Sequence, residues 1–430
     1  MLDENSKCFF DINEYEIEER DGVILLLSSK YKNWLKTSKT GMDILSMLDG
    51  KTSLKEVAKK IAEKYEMPTK RITNDVIRFC NDLINKNLIN IKEKNRSQKY
   101  SNIYIDITNG CPFSCRYCNK KSGFDDRTLT LEKFKAQIEE FADKIEKEYT
   151  LINLTGGEPL INPHILEIIQ YLGENEISFA VYTSGYGLNT KISDLILKYK
   201  GMVFLSLDSA KEDVNDIIRG KGTYKAAVDA AKKLQAVGCY FYIVTTPIKG
   251  YFHEVIDIIE FAYNLGALGI KINQPITIDV QGQEISNYFD YSMNDFYNLE
   301  TEVFKHYNIV NSWRNNNVKK ERKFSILPAR FDCLNTVYTV QSKENCGVQS
   351  KELALDISGC QYPCYMLQSK KYCDCQLNED FSDIDEECMM CKYKMFCLGG
   401  CKALNIYFPN SHTEYCSYAK QFYESLLWGE

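Results

Sequence analysis

The first forty residues alternate between apolar and polar positions in three runs, which predict short β-strands around residues 9–17, 22–27 and 34–36. Apolar residues then recur every three to four positions, as on the buried face of a helix, around 40–48, 53–62 and 72–88. Three strands followed by three helices predict a small winged-helix-like α+β domain over residues 1–95. The charged stretch at 92–99 predicts the linker that ends this domain.

Beyond the linker, buried apolar runs alternate with amphipathic helical segments. Six of these runs predict strands, at 103–107, 151–154, 179–182, 203–207, 241–245 and 270–272. Such alternation is typical of βα units on a parallel sheet, so residues 96–326 are predicted to form an α/β domain. Functional side chains are expected just after the strands, because the sites of parallel βα barrels gather at the carboxyl ends.

The last hundred residues are unusually rich in cysteine. Eleven of the 17 cysteines lie from Cys333 onward, three lie at 111–118, and Cys8, Cys80 and Cys239 are scattered. The chain opens with acidic residues, lacks a signal-peptide pattern and has no run of the ~18 apolar residues that span a bilayer, so we expect a cytoplasmic protein. Because the cytosol keeps thiols reduced, metal ligation explains these cysteines better than a disulfide framework.

Charge and length narrow the classes of partner. The 430 residues are enough for two or three domains, and the net charge of −6 gives no overall basic surface. We therefore expect neither nucleic acid nor a membrane as a partner.

The most specific motif follows the first strand of the α/β domain, where Cys111, Cys115 and Cys118 have the spacing C-x3-C-x2-C. Three thiolates suit a [4Fe–4S] cluster that keeps one iron unligated, since such clusters normally take four cysteines. A structural zinc site is the alternative, although zinc usually takes four ligands and no histidine is near. The spacing, with Tyr117 before the last cysteine, resembles the radical S-adenosylmethionine (SAM) superfamily.

That resemblance implies a partial (β/α)6 TIM barrel and a defined chemistry. In the family, the open iron chelates the amino and carboxylate groups of SAM, and an electron from the cluster cleaves SAM to methionine and a 5′-deoxyadenosyl radical. Later strand ends match further family motifs, so the predicted SAM contacts are Tyr117, Gly156, Gly157, Glu158, Ser184, Ser206, Asp208 and Arg219. Glu158 is expected on the SAM ammonium and Arg219 on its carboxylate. For Arg219, a solvated surface position is the alternative.

The N-terminal pattern resembles the PqqD-like recognition element, typified by the leader-binding protein of pyrroloquinoline quinone biosynthesis. The resemblance rests on Asp21-Gly22, Trp34-Leu35, Thr40-Gly41, Leu48-Asp49-Gly50 and Asn87-Leu88-Ile89. In that family the leader of a precursor peptide adds as a strand to the small sheet. The alternative is a winged helix that binds DNA or only covers the enzyme.

The cysteine-rich tail resembles the SPASM domain, and residues 327–430 are assigned to it. The matching pattern is Cys346-x12-Gly359-x4-Cys364, a gap, then Cys388-x2-Cys391-x5-Cys397-x3-Cys401-x14-Cys416. The family assignment implies two auxiliary [4Fe–4S] clusters, one on Cys346, Cys364 and Cys401, the other on Cys388, Cys391, Cys397 and Cys416. Cys360 is the nearest candidate for the missing ligand of the first cluster, followed by Cys333, Cys373 and Cys375. If none binds, that cluster could hold a substrate thiolate.

Together these resemblances imply an oxidoreductase that matures ribosomally made peptides, with thioether formation between a cysteine sulfur and a carbon as the preferred reaction. An electron donor such as flavodoxin or ferredoxin would supply the cluster. The alternatives are carbon–carbon or carbon–oxygen crosslinking, epimerisation, modification of a small molecule, and a DNA-binding regulator with an iron–sulfur sensor. Formylglycine formation is disfavoured, because Tyr365 stands where sulfatase maturases carry an aspartate after the cysteine equivalent to Cys364.

Overall fold

The computed structural model describes residues 2–28, 33–85, 88–89, 100–121, 124–147, 149–274, 276–285, 292, 295, 298–299, 301–303, 324–328, 352–373, 386–393, 401–407 and 411–428. These residues form a small N-terminal domain, a parallel α/β sheet, and C-terminal segments that pack against both.

The N-terminal domain contains five strands and three helices. They are β1 (Lys7–Phe9), β2 (Glu16–Arg20), β3 (Val23–Ser28), β4 (Asn33–Ser38), α1 (Lys39–Ser46), β5 (Asp49–Ser53), α2 (Leu54–Lys64) and α3 (Thr69–Asn85). All three predicted helices are present. The first predicted strand is wrong in detail, because residues 9–17 are divided between β1, a single helical turn at Ile12–Glu14 and the start of β2.

The meander β2-β3-β4 is antiparallel and has two buried faces. Side chains on a strand point alternately to the two sides of its sheet. Accordingly, Ile24 and Leu26 pack with the domain's own helices, whereas Leu25, Leu27 and Trp34 belong to the large core that continues into the α/β domain. The N-terminal domain is therefore packed onto the rest of the protein through one face of its sheet.

The α/β domain alternates strands and helices as predicted. Its elements are β6 (Asn102–Thr108), α4 (Leu131–Glu140), β7 (Leu151–Gly156), α5 (Ile165–Glu174), β8 (Phe179–Thr183), α6 (Thr190–Lys198), β9 (Met202–Ser206), α7 (Glu212–Arg219), α8 (Thr223–Val237), β10 (Phe241–Thr245), α9 (Glu254–Asn264), β11 (Gly269–Ile272) and β12 (Ser325–Pro328). All six predicted strands are confirmed within one or two residues. They lie in sequential order and run parallel, from β6 to β11.

The C-terminal segments extend this sheet. They contain β13 (Glu352–Leu355), β14 (Gln361–Tyr362), α10 (Glu386–Met389), α11 (Lys402–Tyr407) and α12 (Ser411–Trp428), with single helical turns at Tyr365–Leu367 and Lys370–Tyr372. β13 runs parallel to β6, and β14 pairs with β13 in the antiparallel direction, so the tail supplies one edge of the nine-stranded sheet. The residues that follow β13 are consequently held beside the carboxyl end of β6.

The face of the small sheet that carries Leu25 and Trp34 also contacts the C-terminal helix. Arg20 on β2 forms an ion pair with Glu424 and lies 4.3 Å from the centre of the Trp428 ring. Lys36, on β4, lies 5.7 Å from the same ring. Glu18 forms an ion pair of 2.9 Å with Lys392, which follows α10. The contact between the small sheet and the C-terminal segments thus combines apolar burial, ion pairs and cation–π contacts of Arg20 and Lys36 with the Trp428 indole.

Candidate active site

A cavity of about 230 Å³ opens at the carboxyl ends of the parallel strands. Its wall includes all three motif cysteines and seven other predicted site residues: Tyr117, Gly156, Gly157, Glu158, Ser184, Ser206 and Arg219. Asp208 does not line the cavity and lies behind Arg219. The sequence therefore identified one contiguous site from segments more than one hundred residues apart.

A backbone hydrogen bond joins the cysteine loop to helix α7. The amide of Arg116 donates to the carbonyl of Ile218 at the end of α7, at 3.0 Å. Burial raises the pKa of Cys111 to about 12 and that of Cys118 to about 11. Without metal these thiols are protonated at neutral pH, so their ligation by iron releases protons.

The glycine pair after β7 packs onto the entrance of this loop. A Cβ atom on Gly156 would lie 2.2 Å from the carbonyl oxygen of Thr108, and one on Gly157 would lie 2.1 Å from that of Gly110. The amide of Gly157 donates to Thr108 at 2.7 Å, and Glu158 donates to Gly110 at 2.8 Å. The sequence predicts glycines that let the backbone approach a ligand, and in this structure the close approach is to the backbone that leads to Cys111.

Glu158 is buried and fully hydrogen-bonded. Its carboxylate accepts from the amide of Leu160 at 3.1 Å, the hydroxyl of Thr183 at 2.5 Å, and both the amide (2.8 Å) and the hydroxyl of Ser184. Burial raises the pKa of Glu158, and these donors act in the opposite direction. Its four acceptor positions are all occupied, so in this structure Glu158 holds the carboxyl end of β8.

Arg219 is held by a buried acid and a phenol. Its Nη1 donates to Asp208 Oδ2 at 2.9 Å and also to the Tyr117 hydroxyl, which itself donates to Asp208 Oδ2 at 2.5 Å. The other oxygen of Asp208 accepts from the amide of Thr246 at 2.8 Å. Arg219 is only 11% exposed at its side chain, which excludes the solvated surface position.

One atom of Arg219 remains without a partner among the described residues. Its Nε is buried and makes no hydrogen bond. A buried N–H without an acceptor is costly, and a carboxylate is the natural partner of a guanidinium edge. The arrangement therefore fits the carboxylate of an amino-acid-like ligand in the cavity.

Two further residues of the wall, Lys120 and Gln368, escaped the sequence analysis, as did Asp106, which contacts both. Asp106 on β6 is buried, forms an ion pair with Lys120 of the cysteine loop and accepts from Gln368 Nε2 at 2.6 Å. Burial raises the pKa of Asp106, whereas Lys120 and Gln368 lower it. No motif marks these residues, but an acid in the apolar run 103–107 was a signal, since buried carboxylates are rare unless paired.

The floor of the cavity is aromatic and carries a lysine. Tyr182 stacks on Phe204 with ring centres 4.5 Å apart, and Tyr104 and Tyr365 lie 4.7 Å apart. Lys271 on β11 donates to the Tyr182 hydroxyl at 3.2 Å. Burial raises the pKa of Tyr365 far above its usual value, so this phenol stays protonated and is a poor base.

Among the tail cysteines that the structure describes, two pairs lie near shared neighbours. Tyr407 has its pKa raised by burial and then by both Cys364 and Cys401, so these two thiols lie beside the same phenol. Cys391 and Cys416 lie together near Lys420, which is hydrogen-bonded to Cys416. The backbone amide of Cys391 donates to the carbonyl of Cys388.

Of the candidates for the missing ligand of the first auxiliary cluster, the structure describes only Cys360 and Cys373. Cys360 and Cys373 form a disulfide with their Cα atoms 6.0 Å apart. In that state neither sulfur is a thiolate, so either enters a cluster only after reduction. Cys333, Cys346, Cys375 and Cys397 lie outside the described residues.

Comparison with known families accounts for this arrangement. Residues 105–262 match the model of the radical SAM superfamily. This segment is a radical SAM domain. Residues 24–89 match the model of coenzyme PQQ synthesis protein D (PqqD), so a PqqD domain precedes it.

Relatives of the chain include a mycofactocin maturase and a bacteriocin biosynthesis protein. Mycofactocin maturase MftC of Mycobacterium ulcerans is 29% identical over 31% of this chain and 36% of its own length. The antilisterial bacteriocin subtilosin biosynthesis protein AlbA of Bacillus subtilis is 23% identical over 56% of each protein. The chain thus matches about a third to a half of the length of these relatives.

Solved structures share the fold over most of the chain. Streptococcus suis SuiB, solved with its precursor peptide SuiA, has a TM-score of 0.53 at 12% identity and covers 93% of this chain and 97% of its own. The anSMEcpe protein, solved with AdoMet and a peptide, has a TM-score of 0.58 at 18% identity and covers 76% of this chain and 99% of its own. At these identities the similarity concerns the fold alone.

The radical SAM domain implies SAM and one [4Fe–4S] cluster, and the cavity fits both. Cys111, Cys115 and Cys118 border it together, and the unpaired Nε of Arg219 suits the SAM carboxylate. Within the described residues, no group of three or more His, Cys, Asp or Glu side chains converges on a point that could hold a single ion. The described helices include none that is both long and apolar enough to cross a membrane.

Proposed function

We propose that this chain is a maturase that crosslinks a ribosomally made precursor peptide. The observation that carries the proposal is that a PqqD domain is packed onto a radical SAM domain whose three cysteines and Arg219 share one cavity. When bound there, SAM and the cluster supply a 5′-deoxyadenosyl radical that takes a hydrogen atom from the peptide.

The residues of the chain have distinct roles in this proposal. Cys111, Cys115 and Cys118 hold the cluster, and Arg219, oriented by Asp208 and Tyr117, holds the SAM carboxylate. Glu158 positions Ser184 through a hydrogen bond, and Ser206 lies at the end of the next strand, β9. Two hydroxyl groups on the cavity wall are thus available for the sugar of SAM. A direct contact from Glu158 to the SAM ammonium requires that the Ser184 hydroxyl give up its bond.

The leader peptide is proposed to add to the small sheet at β4. Strand β2 is the edge whose side chains contact Lys392 and Glu424, whereas β4 is the opposite edge. Addition of a strand satisfies backbone groups of both chains and needs no particular leader sequence beyond suitable side chains. Residues 1–95 would thereby recruit the peptide.

Thioether formation is the proposed reaction. The cysteine sulfur of the peptide loses a proton, the acceptor carbon loses a hydrogen atom to the deoxyadenosyl group, and the surplus electron leaves the new sulfur–carbon bond. The tail cysteines are proposed to hold two auxiliary clusters that receive this electron, and a flavodoxin or ferredoxin supplies the first electron. Among the relatives, AlbA of the subtilosin system supports a bacteriocin-like peptide as the substrate class.

The test is anaerobic reconstitution of the full chain with iron, sulfide, SAM, a reductant and the short peptide encoded beside its gene. Mass spectrometry should show loss of two hydrogens for each crosslink together with one 5′-deoxyadenosine. Alkylation of the product should show one cysteine fewer per crosslink, which distinguishes a thioether from a carbon–carbon or carbon–oxygen bond.

The matched control replaces Cys111, Cys115 and Cys118 by alanine. Loss of deoxyadenosine in this variant is expected, and SAM cleavage that persists would refute the site. A peptide that gains no modification with the unaltered protein would refute the maturase function.

A further inference from the structure

Gln368 carries a buried acceptor that has no partner in the part of the chain that the structure describes. The residue is 3% exposed, and its Oε1 makes no hydrogen bond with any described residue. Most buried polar atoms are paired, so an orphaned acceptor in the wall of an active-site cavity points to a ligand that supplies a donor.

The orientation of this amide is determined by its neighbour. Its Nε2 donates to Asp106 Oδ2 at 2.6 Å, and the other oxygen of Asp106 faces the Lys120 ammonium. Asp106 is the acidic partner of an ion pair with Lys120, and in such a pair a carboxylate only accepts hydrogen bonds. Nitrogen must therefore face Asp106, and oxygen must face away from it.

Gln368 lies where two cavities meet. Besides the main cavity, a second cavity of about 180 Å³ lies along the outer side of the cysteine loop. Five residues line both: Lys120, Phe124, Gly156, Gly157 and Gln368. The second cavity is bordered by charged and polar side chains that include Arg127, Asp356 and Lys370, and by none of the cysteines or of Ser184, Ser206 and Arg219.

The segment that carries Gln368 is fixed by its own backbone. The amide of Lys370 donates to the carbonyl of Val280 at 3.0 Å, and that of Ser369 donates to Leu367 at 2.8 Å. Because the main chain and Nε2 are both anchored, the acceptor cannot turn toward another partner without breaking existing bonds. The oxygen is therefore held in one orientation, in a residue that lines both cavities.

We propose that Gln368 is a substrate-binding residue whose Oε1 accepts a hydrogen bond from a backbone N–H of the peptide, at the point where the peptide passes from the second cavity to the reaction site. This inference rests on the proposed function. An extended peptide presents N–H groups along its length, and the second cavity offers it a route that is bordered by Gly156 and Gly157 but not by Ser184, Ser206 or Arg219. The other possible donor is the amino group of SAM itself.

The test compares Gln368→Met with the unaltered protein, using SAM and the short peptide encoded beside the gene. Methionine keeps the length of the side chain and removes the amide. We expect the KM for the peptide to rise about 5- to 30-fold, as for one lost hydrogen bond to a buried acceptor, with kcat nearly unchanged and the Kd for SAM within about twofold.

Gln137→Met is the matched control. Gln137 on α4 also donates through Nε2, to the carbonyl of Asp356, and its Oε1 is also buried without a partner, but it lines neither cavity. Its replacement should leave the peptide KM unchanged. If Gln368→Met loses its fold, Gln368→Asn carries the comparison, since it keeps the amide but withdraws the oxygen by one methylene.

The outcomes separate the two hypotheses. An unchanged peptide KM in Gln368→Met, or a weaker Kd for SAM with an unchanged peptide KM, would overturn the role of Gln368 while the maturase function stands. An unaltered protein that modifies no peptide would overturn the maturase function and this inference with it.

Discussion

At the scale of single residues, the site is built from charges that are already paired before any ligand arrives. Asp208 faces Arg219, Asp106 faces Lys120, and Glu158 accepts four hydrogen bonds. Pairing of this kind offsets the cost of burying charge and keeps each group in one orientation. The atoms left unpaired, Arg219 Nε and Gln368 Oε1, are where ligands are expected.

Replacement of Tyr117 by phenylalanine should weaken SAM binding without loss of the cluster. The ring remains, but Arg219 loses one of the two partners that orient it. We expect the Kd for SAM to rise about 3- to 10-fold, which corresponds to one ordinary hydrogen bond. Equilibrium dialysis of the reconstituted protein measures it, and iron content should stay constant.

The exposed Tyr240 provides the control, since its hydroxyl is remote from the cavity. Tyr240→Phe should bind SAM as the unaltered protein does. Equal affinities in the Tyr117 and Tyr240 variants would show that the phenol does not position Arg219.

Asp208→Ala should lower the free energy of unfolding far more than Tyr117→Phe does. It leaves the Arg219 guanidinium buried beside neutral groups, and removal of one member of a buried ion pair typically costs about 3–5 kcal/mol. Urea unfolding of the metal-free protein should show this loss in the free energy of unfolding. A loss below about 1 kcal/mol would place Arg219 in contact with water instead.

At the scale of elements, the turn after β7 and the cysteine loop after β6 act as one unit. Gly156 and Gly157 pack against the backbone of residues 108–110, and two backbone hydrogen bonds join the segments. The register of β6 and β7 brings Thr108 beside Gly156. The position of the cysteines therefore depends on a contact between two strand ends.

Gly157→Ala should disrupt the site, because its Cβ would lie 2.1 Å from a backbone carbonyl oxygen. We expect a loss of about 3 kcal/mol or more in the free energy of unfolding and a failure to retain iron after reconstitution. Gly110→Ala is the matched control in the same contact, since its nearest neighbour is the end of the Ile161 side chain at 3.4 Å. Equal iron retention in both variants would contradict the packing role.

The tail cysteines allow an additivity test of the two proposed auxiliary clusters. Cys391→Ala and Cys416→Ala should each remove about four irons, and the double variant should remove no more, because both thiols serve one cluster. Cys364→Ala combined with Cys416→Ala should remove about eight. Iron and sulfide analysis measures the loss, and equal losses in the two double variants would refute the assignment.

At the scale of the whole molecule, the PqqD domain is docked rather than tethered. Apolar side chains of its sheet join the core of the α/β domain, and Arg20 and Lys36 lie over Trp428 at the end of α12. The same helix carries Cys416, and Glu16 on β2 acts electrostatically on Cys391. A peptide strand added to β4 would thus form on a sheet that touches the segments proposed to hold an auxiliary cluster.

Trp428→Ala should loosen this contact. With the indole removed, Arg20 and Lys36 lose a cation–π partner, and the linker at 92–99, rich in lysine and arginine, should be cleaved by trypsin about 3- to 10-fold faster. SAM affinity should not change, because Trp428 is remote from the cavity. Trp428→Phe keeps an aromatic face and should be intermediate, so equal cleavage rates in all three proteins would show that the ring does not hold the domain.

The sequence alone determined the order of the elements, and it predicted many of the residues that the structure brings to the wall of one cavity. Hydrophobic periodicity located all six strands of the α/β domain because each is buried on both faces, and the motifs at their ends follow from where parallel strands finish. Short motifs with fixed spacing, such as Cys111 to Cys118, are local, so they can be recognised without knowledge of the fold.

Tertiary structure alone decided which residues meet across the chain. Gln368 reaches Asp106 from 262 positions away, and the tail supplies β13 to the edge of a sheet that begins at β6. It also showed that Glu158 and the paired glycines support other parts of the protein as well as facing the cavity. Periodicity and spacing record contacts within a segment, whereas the pairing of buried polar atoms depends on long-range packing that no local pattern encodes.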